Sequence, residues 1–77
     1  MTTTLPLCEA LAADPARYLF KAMLRDLLAA TTYEEKRTEA LYLHGYLNCA
    51  AETNLLTHEQ YRLLWNEIHI YVWGPLA

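Results

Sequence analysis

Glycine, proline and cysteine are all scarce in this chain, with two, three and two residues among 77. Two cysteines, Cys8 and Cys49, make one bridge at most, so no disulfide framework holds the fold. The few glycines and prolines all lie where helices can start, stop or pack, and strict apolar alternation is nearly absent, so the chain reads as helical. No run reaches the ~18 consecutive apolar residues of a membrane span. The opening Met1-Thr2-Thr3-Thr4 lacks the positive region of a secretory signal. Free thiols without an export signal point to a reducing cytosol, so a cytoplasmic protein is expected. The start at Met1 and the lack of any tag or linker lead us to expect a complete small gene product.

Motifs of site chemistry are also missing. There is no C-x-x-C, H-x-x-x-H or H-E-x-x-H, and no glycine-rich phosphate loop. His44 and Cys49 are five residues apart, which separates them by roughly 140° on a helix, so they do not converge. Neither cysteine has a sequence-adjacent base, and Glu34 and Glu35, being neighbours, point to different helix sides. The chain is therefore not expected to be an enzyme, and no metal or cofactor is assigned to it. Net charge is −3, which opposes phosphate binding. The bases Arg17, Lys21, Arg25, Lys36, Arg37 and Arg62 are interleaved with acids. Only Arg17, Lys21 and Arg25, at i, i+4 and i+8, form a basic stripe.

What the chain has in excess is apolar surface. Apolar residues are 55% and charged residues 19%, against about 45–50% and about 25% in ordinary soluble domains. A domain this short buries only about 60% of the surface its unfolded chain exposes, so it should be more polar than average. Some apolar side chains are expected to remain outside the core of a single domain, residues 1–77.

Helix-start chemistry recurs along the chain. Asp14-Pro15 sets a capping acid before a proline at the first helical position. Thr32-Tyr33-Glu34-Glu35 and Thr57-His58-Glu59-Gln60 read as capping boxes, with Glu35 and Gln60 reaching back. Gly74-Pro75 ends the last helix. Helices are predicted near 15–30, 33–53 and 58–73, and Pro6 opens a short extra turn over 6–13 with Leu7 and Leu11 on one side. The expected fold is an all-α three-helix bundle with that N-terminal turn. Its predicted core is Phe20, Leu24, Leu27, Leu43, Leu47, Leu64, Trp65 and Ile68. Alternation over Ile68–Val72 leaves a minor strand ambiguity.

Two of the helices carry more apolar surface than one buried face needs. In the second, Ala40, Leu43, Leu47, Ala50 and Ala51 form one stripe, and Tyr42, Tyr46 and Cys49 form another roughly 120° away. Gly45 lies beside that second stripe. Either a ring or backbone packs closely there, or it is a tolerated helix glycine costing about 1 kcal/mol relative to alanine. In the third, Leu63 and Ile70 stand opposite the main face, with Trp73 close by. His69, at i±4 from Trp65 and Trp73, is expected to pack on an indole edge, and His58 to be exposed.

The segment from Gly45 to Leu64 ends one helix, passes through Asn54-Leu55-Leu56-Thr57 and starts another at His58-Glu59-Gln60-Tyr61. It resembles the G-L-I-T-x-E-E-[YF] hairpin of SHOCT-type modules and of small helical proteins of phages and mobile elements. Asn54 stands at the usual glycine and Leu56 at the isoleucine. The resemblance implies a protein-interaction role and a mobile-element origin, and it transfers no catalytic residue.

The expected function is that of a small interaction module, a modulator or inhibitor docking on a larger protein. The binding residues would be Tyr42, Tyr46, Cys49, Leu63, Ile70 and Trp73. One alternative is a homo-oligomer, such as a homodimer, or an assembly subunit. Another is a nucleic-acid-binding regulator using Arg17, Lys21 and Arg25. The segment from Leu5 to Leu11 folding over one stripe would account for part of the surplus without any partner.

Overall fold

A computed structural model describes residues 5–74. The elements are α1 (Pro6–Ala12), a 3₁₀ turn (Pro15–Arg17), α2 (Tyr18–Ala29), α3 (Tyr33–Glu52) and α4 (His58–Trp73). The all-helical expectation holds, and the strand ambiguity over Ile68–Val72 resolves as helix. The three-helix count does not hold: the turn predicted over 6–13 is a fourth helix. It packs between α2 and α4, so the four helices form a closed ring in chain order, with neither diagonal pair in close backbone approach among the described residues.

Local chemistry sets most helix ends. Thr57 Oγ1 accepts from the Gln60 N–H at 3.1 Å, and Gln60 Oε1 accepts from the Thr57 N–H at 2.8 Å, a complete capping box. The box at Thr32 is half made. Its hydroxyl accepts from the Glu35 N–H at 3.1 Å, but the Glu35 carboxylate turns to the Thr31 N–H at 3.4 Å instead of back to Thr32. The helix predicted from residue 15 opens as a 3₁₀ turn, because Asp14 Oδ1 holds the Ala16 N–H and the Asp14 carbonyl takes the Arg17 N–H, each at 2.9 Å. At the end of α3, Asn54 takes φ 65°. The Leu55 N–H then donates to the Ala50 carbonyl at 2.8 Å and the Asn54 N–H to that of Ala51 at 3.2 Å. This is a Schellman stop, and asparagine is the non-glycine residue that tolerates it best. Leu56, just beyond it, is buried.

The start of α1 has no local cap. Leu5 supplies no side-chain acceptor. The Glu67 carboxylate of α4 does so instead, with Oε2 accepting from the Leu7 N–H and Oε1 from the Cys8 N–H, both at 2.9 Å. An acid at a helix N-terminus also meets the positive end of the helix dipole.

One core joins all four helices. Leu5, Cys8 and Ala12 come from the α1 segment, Phe20, Leu24 and Leu27 from α2, Ala40, Leu43, Leu47 and Ala50 from α3, and Leu64 and Ile68 from α4. Every residue predicted for the core is buried except Trp65, which is half-buried at the α3–α4 seam. No helix among the described residues is long and apolar enough to cross a membrane.

Candidate interaction surface

The structure distributes the sequence-predicted binding residues over three places. Tyr42 (60% exposed) and Cys49 lie open on α3, while Tyr46 between them is half-buried, its ring 5.4 Å from that of Phe20 at 45°. The Tyr42–Cys49 stripe is thus partly sealed by α2. The site of Gly45 is open: a Cβ there meets nothing within 4 Å, so close packing is not the reason for the glycine.

Trp73 belongs to a seam of rings between α3 and α4. Its Nε1 donates to Tyr33 Oη at 2.8 Å. His69 sits between Trp73, at 5.0 Å, and Trp65, at 6.3 Å and 75°. This is the indole-edge packing expected of it, and His69 Nδ1 is buried without a hydrogen-bond partner. His44 stacks on Trp65 at 4.1 Å and 20°, and its Nε2 shares a 2.8 Å hydrogen bond with Tyr61 Oη. Lys36 lies 5.4 Å above the Tyr71 ring, within cation–π range. These contacts join two helices. Helix periodicity placed Trp65, His69 and Trp73 in one row, but their α3 partners Tyr33 and His44 emerge only on folding.

Leu63 and Ile70 are 40% and 43% exposed on the outer side of α4. Leu63 also forms one lip of an apolar groove of about 280 Å³ between α1 and α4. Leu7, Ala10 and Leu11 line it from α1, Leu56, Leu63 and Leu64 from α4 and the turn before it, and Gln60 is the one polar lining residue. Leu7 remains 45% exposed on the opposite lip. The N-terminal segment therefore covers part of the surplus apolar surface of α4 and in doing so builds a groove. The sequence carried a signal for the α1 wall, namely Leu7 and Leu11 at i, i+4 behind Pro6. It carried none for which helix that wall would face.

The two cysteines do not meet. Cys8 is fully buried, with its thiol directed at the Leu64 carbonyl at 3.9 Å, while Cys49 is exposed. Burial first, then the hydrogen bond and negative charge of Glu67, push the Cys8 thiol well above its ordinary ionisation range. The thiolate is the reactive form. An alkylating reagent added to the folded protein should therefore modify Cys49 alone, with Cys8 reacting only in denaturant. Mass spectrometry of the native reaction reads this directly, and rapid double modification would contradict the buried placement.

On α2, Lys21 and Arg25 rim a second hollow, of about 330 Å³, shared with Glu9 of α1. Arg17 precedes them, its Nη1 donating to the Ala16 carbonyl at 3.3 Å. Among the described residues no three histidine, cysteine or acidic side chains converge as a metal site would require. No protein-family model, curated protein or solved structure matches the chain.

Proposed function

We propose that this chain is a small protein-interaction module that docks on a larger protein, as a modulator or inhibitor, through the groove between α1 and α4. The observation that carries the reading is the groove itself. Leucines line both lips and the floor, one polar residue interrupts them, and no charged side chain takes part. Interface cores have this character, being depleted of charge and well packed around a few apolar anchors. A groove between two helices also suits an amphipathic helix laid along it. The hairpin over 45–64 that resembles SHOCT-type modules supports the same class of function.

Leu63→Asp and Leu7→Asp test the reading, because both side chains are already partly in water and their replacement should leave the helical CD spectrum intact. Each variant should capture a partner from source-cell lysate about tenfold less well than the native chain, as expected when an interface anchor is lost. Tyr42→Asp, on the other edge of the bundle, should capture it normally. Equal capture by all variants would remove the groove from the proposal. Light scattering over a range of concentrations belongs with this experiment. A dimer that the same two substitutions dissociate would assign the groove to a second copy.

A further inference from the structure

We propose that the hollow between α1 and α2 binds an acidic, leucine-bearing helical segment of a partner protein. It lies on the opposite side of α1 from the α1–α4 groove and stands independently of that reading. Its apolar lining is Ala12, Ala13, Leu24 and Leu28, of which Ala12 and Leu24 are buried and form the floor, while the exposed Lys21 and Arg25 stand at its rim. Among the described residues neither cation has an ion-pair or hydrogen-bond partner.

Charge is distributed unevenly around this hollow. Residues 15–29 carry Arg17, Lys21 and Arg25 against Asp26, a net +2, which leaves −5 on the remainder of a chain whose total is −3. The hollow's own lining sets Lys21 and Arg25 against Glu9, a net +1, so it is a locally positive apolar strip on a chain of net charge −3. A partner of opposite sign is steered to the strip, and the acidic remainder repels it elsewhere.

Spacing narrows the occupant further. Lys21 and Arg25 are one helical turn apart, roughly 6 Å along the axis. A helix with carboxylates at i and i+4 presents the same interval, and a leucine at i+3 of that helix falls over the apolar floor. Nucleic acid fits less well, since Leu24 and Leu28 offer a phosphate nothing and Glu9 lines the same hollow. Glu9 is the one unfavourable group in the site for any acidic ligand, and that makes it diagnostic.

The test is fluorescence anisotropy with a fluorescein-labelled helical peptide bearing glutamates at i, i+4 and leucines beside them. Three further probes accompany it: the same peptide with Gln for Glu, the same with Ser for Leu, and a labelled single-stranded oligonucleotide. The acidic leucine peptide should bind and weaken as salt rises, and both altered peptides should bind at least about tenfold less well. Lys21→Glu with Arg25→Glu should abolish binding, while Glu9→Gln should strengthen it severalfold. Stronger binding cannot arise from misfolding, so the Glu9 arm remains decisive if the double variant proves unstable. The proposal is overturned if the acidic peptide fails to bind, if Glu9→Gln leaves affinity unchanged, or if the oligonucleotide binds better than the peptide.

Discussion

Phe20→Ala should lower the unfolding free energy by about 3–5 kcal/mol, the range for removing a buried aromatic ring and leaving its cavity behind. Phe20 is the only phenylalanine in the chain and is fully buried where α2 packs on α3. Its ring meets Tyr46, so truncation also leaves that tyrosine without its aromatic neighbour. A domain of this size has roughly 0.05–0.15 kcal/mol per residue of net stability, or about 4–12 kcal/mol in all. The substitution therefore removes a large share of it, and urea titration followed by CD should show a midpoint well below that of the native chain. Tyr42→Ala, on the exposed side of α3, should stay within about 0.5 kcal/mol of the native chain. A comparable loss for the two would mean that the packed centre of the bundle lies elsewhere.

Glu67→Ala should cost about 2–4 kcal/mol and release α1 from the bundle, on the basis of two charge-assisted hydrogen bonds lost together. The helix spans only seven residues and lacks a side-chain cap from Leu5. Helices that short do not persist alone in water, so α1 depends on its docking. The two 2.9 Å bonds from Glu67 supply the missing cap and fix where α1 begins. Cys8 reports the release. In the native protein it should resist alkylation, and in Glu67→Ala it should react under conditions where α2, α3 and α4 remain helical by CD. Glu67→Gln keeps one acceptor oxygen and should show a smaller loss. Continued protection of Cys8 in the alanine variant would mean that burial of Leu5, Cys8 and Ala12 suffices to hold α1. Release of α1 also removes one wall of the groove, so partner capture should fall with it.

Most of the helical framework was legible because its signals are local. The Thr57–Gln60 box, the capping acid at Asp14 and the apolar stripes of the three longer helices act within a turn or two. They could be read without knowing what packs against what. The predicted core held for the same reason, since an amphipathic helix has one face to bury wherever its partners lie. Trp65 departed because its face of α4 meets His44 at the edge of the seam and not in the centre. Glu35 departed because its carboxylate accepts from the Thr31 N–H, one residue before the cap.

The surplus of apolar surface was also legible, but its disposition was not. Periodicity assigned Tyr46, Leu63 and Trp73 to secondary stripes, and each has a different environment: against Phe20, at the lip of a groove and in a ring seam. Those environments depend on side chains many positions away. The clearest case is Glu67, which reads as one more acid on a polar face. Its role is set by Leu7, sixty residues earlier. Sequence alone determined that this chain is helical, where its two longest helices start, and that it carries more apolar side chains than one core needs. Only the tertiary structure decided that the N-terminal turn is a fourth helix closing the ring, and that the surplus forms a groove, because both follow from contacts between distant segments that no local pattern encodes.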